Sequence, residues 1–222
     1  MPPWVPSPIW SGEDAFVIGG GRSLERFDWQ LLVPEKTIGC NDAYRLGPDV
    51  CKLCIFGDEP WWEANCQGLA EYAKSRPVVT NRPSMYRNPT PWLKTMQREA
   101  KGLTTEGDVL GWNGNTGAAA INLALRLGAR RVFLLGFDMH ADGSRGNWHE
   151  HQINPNGCTA TIYRTFCRAF KSLVIDWHRK FGDRQLFNIT NCSNLSPDDV
   201  PWLEPATFWA ERRRERGDKN DS

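Results

Sequence analysis

Short apolar runs alternate with longer segments of mixed polarity along this chain. The first run, AFVI at residues 15–18, is too short for a helix and has no polar alternation, which is typical of a strand buried on both faces. Comparable runs recur down the chain, and we predict strands at residues 15–18, 36–40, 49–56, 78–80, 131–135 and 186–189.

The segments between these runs mostly have helical spacing. Residues 23–32 are expected to form a helix because their apolar side chains fall on one face: Leu24, Phe27, Leu31 and Leu32. Gly128 ends a helix rich in small residues. The full set of predicted helices covers residues 23–32, 61–75, 91–100, 118–128, 159–181 and 202–209, and residues 82–91 are expected to form a loop.

Strands that alternate with helices predict a Rossmann-like α/β fold, with a mostly parallel sheet and helices on both faces. We expect an extended lead-in at residues 1–12, one domain at 13–210, and a basic, disordered tail at 211–222. Residues 139–157 are polar, glycine-rich and without periodicity, so we expect a lid loop there.

Three consecutive glycines, Gly19, Gly20 and Gly21, follow the first strand and precede Arg22 and Ser23. Glycine lets a turn take positive φ and lets a ligand approach the backbone closely. Ser23 can cap the helix that follows, whose free N–H groups would point at an anion. This pattern indicates a phosphate cradle. A tight turn without a ligand would look the same, and the spacing departs from the full dinucleotide fingerprint.

Other predicted strands also end in small or polar residues: Asn41-Asp42, Gly57-Asp58, Gly136-Phe137-Asp138 and Asn191. A second glycine-rich helix start contains Asn115, Thr116 and Gly117. Ligands of parallel α/β sheets bind at the carboxyl ends of the strands. The convergence therefore favours a nucleotide-type ligand at this edge of the sheet.

The composition of the chain limits the classes of function that it can have. The chain has 222 residues and a formal net charge of +1, which argues against nucleic-acid binding through bulk charge but leaves a local basic groove open. No stretch approaches the roughly 20 apolar residues that span a membrane, and the N-terminus does not resemble a secretory signal. We therefore expect a cytoplasmic protein without a membrane partner. The oligomeric state is left open.

The odd number of cysteines, seven, suits reduced, buried thiols in the cytosol. Cys51 and Cys54 have the spacing of a zinc or redox pair, but they lie in a predicted strand and no second pair matches them, so buried thiols are favoured. Several of the eleven tryptophans lie beside polar segments, where a ring can stack on a sugar or base: Trp61, Trp62, Trp112 and Trp148.

The order of the motifs GGGRSL, IGCNDAY, GNTGAAAINLALRLGARRVFLLGFDM, a histidine-bearing loop and NCSNL resembles the bacterial sialyltransferases of glycosyltransferase family 42. It also resembles the domain shared with archaeal 6-hydroxymethylpterin pyrophosphokinases, and similar stand-alone domains occur in phage genomes. The resemblance covers roughly residues 13–196. It implies a Rossmann-like, GT-A-like fold and transfer of a sugar from a nucleotide-activated donor without a divalent metal or other cofactor.

By position, the family's donor-binding residues fall on the first glycine loop, Asn41, the Thr116-Gly117 helix start, and the pair Gly136 and Asp138. The family usually has Asn and Pro where this chain has Gly20 and Arg22, which removes a polar contact to the donor. The family's catalytic histidine falls in the loop that holds His149 and His151, and the resemblance does not decide between the two.

The loop histidines suit base chemistry, because histidine titrates near neutrality and can accept a proton from an acceptor hydroxyl. Arg145, in the same loop, could bind a phosphate through its planar guanidinium. With a histidine as base, direct displacement of the donor phosphate by the acceptor hydroxyl would invert the sugar's configuration. A divalent metal held by the histidines with Asp138 or Asp142 is the rival interpretation, and solvated loop histidines are the third.

Two further functions stay open. An ATP-dependent pyrophosphokinase acting on a pterin-like alcohol would need Mg²⁺, for which Asp42, Asp58 and Asp138 could serve. A non-catalytic nucleotide sensor would bind without turnover. The acceptor of a glycosyltransferase is open as well. A hydroxylated base in phage DNA is one candidate, with arginines in the C-terminal tail as the basic contact.

Overall fold

The computed structural model describes residues 3–88, 90–141, 147–149 and 160–217. Its centre is an eight-stranded sheet built from Asp14–Ile18 (β1), Lys36–Cys40 (β2), Leu53–Phe56 (β3), Val78–Thr80 (β4), Leu93–Thr95 (β5), Arg131–Leu135 (β8), Gln185–Ile189 (β9) and Trp202–Leu203 (β10). The order is β10-β9-β8-β1-β2-β3-β4-β5, with parallel pairings throughout. A separate parallel pair joins Gln97–Glu99 (β6) to Val109–Gly111 (β7).

Helices cover both faces of the sheet, as the alternation predicts. The described helices are Glu59–Tyr72 (α1), Pro83–Arg87 (α2), Thr116–Arg126 (α3), Ala160–Phe181 (α4) and Pro205–Arg216 (α5). Alternate residues of β1 point into different cores: Ala15 and Val17 pack with α3 and α4, while Phe16 and Ile18 pack with α5. None of the described helices is long and apolar enough to cross a membrane.

The strand order reverses at β1. From β1 the chain proceeds through β2 to β5 on one side, and it later returns to place β8, β9 and β10 on the other side. Such a switch point opens a crevice at the carboxyl ends of the adjacent strands. The fold therefore directs the loops after β1, β2 and β8 toward one crevice.

The predicted helix at residues 23–32 is wrong. Two short 3₁₀ turns, Arg22–Leu24 and Trp29–Leu32, replace it. The first begins after Gly21 without a side-chain cap, so Ser23 does not cap it. Asp28 accepts a hydrogen bond from the Gln30 N–H and begins the second turn separately. The apolar spacing that suggests a helix still buries Leu24 and Leu32.

Residues 91–100 are also not a helix but form the strands β5 and β6. Leu93 and Thr95 are buried while Lys94 is exposed, which is strand alternation. Pairing with β4 outweighs the local pattern, because an uncovered β4 would leave its backbone groups without partners. The expected loop at 82–91 contains the short helix α2, and the third strand begins at Leu53 rather than at residue 49.

The C-terminal segment is more ordered than the sequence suggests. Trp202 and Leu203 form an edge strand, and Glu204 caps α5 by accepting hydrogen bonds from the N–H groups of Ala206 and Thr207. Helix α5 continues to Arg216, so residues 211–216, expected to belong to a disordered tail, are helical. Residues 218–222 lie outside the described part of the chain.

Candidate functional site

A cleft of about 360 Å³ opens at the carboxyl edge of the sheet, beside the switch point. Most of the residues predicted to bind a ligand line it: Gly19, Gly20, Gly21, Asn41, Asp42, Asp58, Asn115, Thr116, Gly117 and His149. Helix α4 closes one wall with Ile162, Tyr163 and Phe166. The structure therefore brings these predicted residues together in one cleft, although Asn191 does not line it.

The structure explains why three glycines follow β1, and the explanation differs from the positive φ expected from the sequence. Gly19, Gly20 and Gly21 are not among the residues with positive φ. Instead the loop lies against the turn after β8. A Cβ on Gly19 would come within 2.7 Å of the Gly136 carbonyl oxygen, and one on Gly21 within 2.6 Å of the same atom. Close packing against the turn after β8, rather than turn conformation, requires Gly19 and Gly21.

Asp138 is hydrogen-bonded to the residue that follows the glycine and arginine of this loop, Ser23. Its carboxylate accepts hydrogen bonds from the Ser23 N–H at 2.8 Å and from the Ser23 hydroxyl at 2.6 Å, and it is 2% exposed. Arg22 forms an ion pair with Glu25 at 3.0 Å. Arg22, Ser23 and Asp138 therefore do not line the cleft, in contrast to their predicted contact with a ligand, and the structure gives them internal partners.

Asp42 lies at the end of β2, where Asn41 begins a 3₁₀ turn with a positive φ of 51°. The Asp42 carboxylate is 2% exposed and accepts hydrogen bonds from Trp61 Nε1 at 2.7 Å and from Arg45 Nε at 3.0 Å. His149 Nε2 is 3.9 Å from its Oδ2 atom. Asp42 thus lines the cleft with a carboxylate that Trp61 and Arg45 hold in place close to His149.

Trp148 attaches the histidine-bearing loop to the glycine loop. Its backbone N–H donates to the Gly20 carbonyl at 2.9 Å, and its Nε1 donates to the Gly19 carbonyl at 3.0 Å. The indole also contacts the ring of Trp29 at 5.1 Å. These contacts hold His149 at the cleft. The other two predicted residues of this loop, Arg145 and His151, lie outside the described residues, as does Asp142.

The N-terminus of α3 forms the opposite side of the cleft. Asn115 caps it, because its Oδ1 accepts a hydrogen bond from the Ala118 N–H at 2.8 Å. Within the described structure, buried side-chain atoms of cleft residues without a hydrogen-bond partner include Asn41 Oδ1, Asn115 Nδ2 and Thr116 Oγ1. Buried polar atoms are nearly always paired in folded proteins. Their presence in one cleft suits a polar ligand or ordered water as the source of partners.

Asp58 lines the cleft after β3. It is open to the cleft yet surrounded by protein atoms, and this desolvation raises its pKa, while the charges of Arg98 and Arg82 act in the opposite direction. Arg98 donates to the Gly57 carbonyl at 2.7 Å and lies 4.0 Å from the centre of the Trp112 ring. The Arg98 contacts orient Trp112 as a cleft wall.

Sequence reasoning missed several contributors. Arg45 and Arg98 lie outside any motif. Arg45 donates a hydrogen bond to Asp42, and the charge of Arg98 opposes the rise in the pKa of Asp58. The α4 wall gave no signal because its cleft-facing side chains have ordinary helical spacing. Of the four tryptophans singled out, Trp61 and Trp112 line the cleft, Trp148 serves as a hydrogen-bond donor, and Trp62 stacks on Phe56 outside the cleft.

The Cys51–Cys54 pair is part of the core. Both thiols are buried and free, as favoured by the sequence, and burial raises the pKa of Cys51 to about 11. Among the described residues, no group of three or more His, Cys, Asp or Glu side chains is arranged to hold a metal ion.

No protein-family model matches the sequence, and no curated protein matches it. Among solved structures, the chain is similar to the sialyltransferase CstII from Campylobacter jejuni in complex with cytidine-5′-monophosphate, with 14% identity, a TM-score of 0.52, and coverage of 88% of this chain and 86% of that chain. The complex of that enzyme with CMP-3FNeuAc gives 12% identity, a TM-score of 0.51 and 87% coverage of each chain. At this identity the similarity shows a common, sialyltransferase-like fold.

Proposed function

We propose that this chain is a glycosyltransferase that moves a sugar from a nucleotide-activated donor to a hydroxyl acceptor, without a metal. The observation that carries the proposal is the set of three unpartnered polar atoms, on Asn41, Asn115 and Thr116, in the same cleft as His149. A nucleotide-sugar has the phosphate oxygens and hydroxyls to satisfy such atoms. The shared fold with a sialyltransferase supports the same class.

The donor's anionic part would bind at the start of α3. Helix N-termini present free N–H groups and a partial positive charge, which favour phosphate or carboxylate oxygens. Thr116 Oγ1 adds a hydroxyl donor there, and Asn115 Nδ2 adds an amide donor. Asn41 Oδ1 is an acceptor, which suits a hydroxyl of the ribose or sugar.

His149 would act as the base. The acceptor hydroxyl loses its proton to the imidazole while its oxygen forms a bond to the anomeric carbon, and the bond from that carbon to the donor phosphate oxygen breaks. Asp42, 3.9 Å from His149 Nε2, stabilises the imidazolium that this step creates. A single displacement of this kind inverts the anomeric configuration. His151 is a second candidate for the base, as a neighbour in the same loop.

Replacement of His149 by Ala tests the assignment. General-base catalysis is worth about 10²–10⁴-fold, so kcat should fall by at least about 100-fold while nucleotide binding, measured by thermal shift, persists. His178, an exposed residue on α4, offers a matched control, and His178→Ala should retain full turnover. Unchanged turnover in His149→Ala would contradict the role of His149 and make His151→Ala the next variant to assay.

The pyrophosphokinase alternative is less well supported by the described carboxylates. Asp42 is held by Trp61 and Arg45, and Asp138 is held by Ser23, which leaves Asp58 of the three candidates for Mg²⁺. This alternative predicts stabilisation by ATP only in the presence of Mg²⁺.

A further inference from the structure

A second depression, the α4 groove, extends from the cleft along helix α4. It measures about 760 Å³, and its basic wall consists of Arg164, Arg168 and Lys171. His140 and Tyr163 line both the cleft and the groove, so the two spaces are adjacent. An acceptor lying in the groove would therefore reach the cleft that contains His149.

The groove carries charge of one sign. Its described lining residues include three exposed cations and no Asp or Glu. Arg164, Arg168 and Lys171 stand at helical positions i, i+4 and i+7, so they share one face, with rises of about 6 and 4.5 Å between neighbours. No described residue forms a salt bridge with any of the three. The whole chain has a net charge of only +1, so these three residues form a local concentration of positive charge.

We infer that the α4 groove binds the acceptor and that the acceptor is a single-stranded nucleic acid. This inference rests on the proposed function of the adjoining cleft. A row of cations along one face matches a partner whose negative charges also repeat, as phosphates do along a strand. The half-buried rings of Tyr163 and His140 stand where the groove meets the cleft, and aromatic rings there can stack on a base. A base held at that point presents its substituents to His149.

Fluorescence anisotropy with a labelled single-stranded 12-nucleotide DNA of mixed sequence tests the groove. The triple variant Arg164→Ala/Arg168→Ala/Lys171→Ala should bind at least about 10-fold more weakly than the wild type. Each lost phosphate contact removes about 0.7 from the slope of log K against log salt, so the slope should fall by about 2. Arg213→Ala/Arg214→Ala, which removes exposed cations from α5 instead, should change the affinity less than twofold.

Affinity equal to the wild type in the triple variant would overturn the inference, as would undetectable DNA binding by the wild type. Displacement of the DNA by heparin of equal charge at equal concentration would also overturn it, because the groove would then recognise charge alone. Arg168→Gln/Lys171→Gln repeats the test should the triple variant have a lower melting temperature. Stabilisation of the wild type by nucleotides is measured on the same preparation. A protein that binds a nucleotide but not DNA would contradict the inference about the groove and leave the proposed function of the cleft intact.

Discussion

At the scale of single residues, Asp42 determines how the cleft is organised. Its carboxylate joins Trp61, Arg45 and His149, which come from three different segments. The two hydrogen bonds fix the position of the charge, and the remaining space lies toward the histidine. In the proposed mechanism Asp42 therefore acts through His149 as a positioning residue, although its sequence position after a strand suggests direct contact with the nucleotide.

We predict that Asp42→Asn lowers kcat by at least about 10-fold, with little change in KM for the donor. A unit charge about 4 Å away contributes roughly 4 kcal/mol at an effective dielectric constant of 20, and a loss of about 1.4 kcal/mol already gives a factor of 10. Asn still accepts a hydrogen bond from Trp61, so the fold should persist. Asp49→Asn, at an exposed position, is the control. A raised KM with unchanged kcat would instead make Asp42 a donor contact.

At the scale of elements, α5 is bound to the sheet by a partly buried ion-pair network. Arg212 donates to Glu35 through Nε and Nη2, both at 2.8 Å, and to Asp14 through Nη1 at 2.7 Å. Arg216 also binds Glu35, and Arg131 binds Asp14 through two hydrogen bonds. Hydrogen bonding to Glu35 raises the pKa of Arg212. The arginines at 212 and 216 are structural, so they are not contacts of a disordered tail with DNA.

Arg212→Ala should lower the free energy of unfolding by about 1.5–3 kcal/mol, because Glu35 and Asp14 lose the hydrogen bonds from Arg212 and keep only those from Arg216 and Arg131. Denaturation in urea measures this loss. Arg213→Ala, one position away on the exposed side of α5, should stay within about 0.5 kcal/mol of the wild type. Equal stability of the two variants would mean that the network does not hold α5 in place.

At the scale of the whole molecule, the sequence predicts the sheet and the edge that carries the cleft. Buried parallel strands read as apolar runs, and the topology gathers their polar ends at one crevice, so short motifs such as Asn41-Asp42 and Thr116-Gly117 locate it. The strands β5 and β6 escaped prediction because their pairing partners, not their own residues, decide their structure. The α4 groove was not predicted, because cations at helical spacing are also typical of a helix face that is exposed to solvent.

The contacts behind the cleft were not predicted for a related reason. Ser23 and Asp138 stand 115 positions apart, and their hydrogen bonds depend on how the loops after β1 and β8 meet. The same holds for the contact of Trp148 with the glycine loop. Sequence spacing reports which residues share an element, but it does not report which loops touch.

The most direct test of the central claim is a thermal-shift panel with CMP, CDP, UDP, GDP, ADP and ATP, each with and without Mg²⁺. A ligand at about 100 times its dissociation constant stabilises the folded state by roughly 2.7 kcal/mol. We predict a metal-independent shift with a cytidine, uridine or guanosine nucleotide, and its loss in Thr116→Val, which removes the unpartnered hydroxyl at nearly constant volume. No shift with any nucleotide would contradict the account. A shift with ATP and Mg²⁺ alone would replace the glycosyltransferase with the pyrophosphokinase.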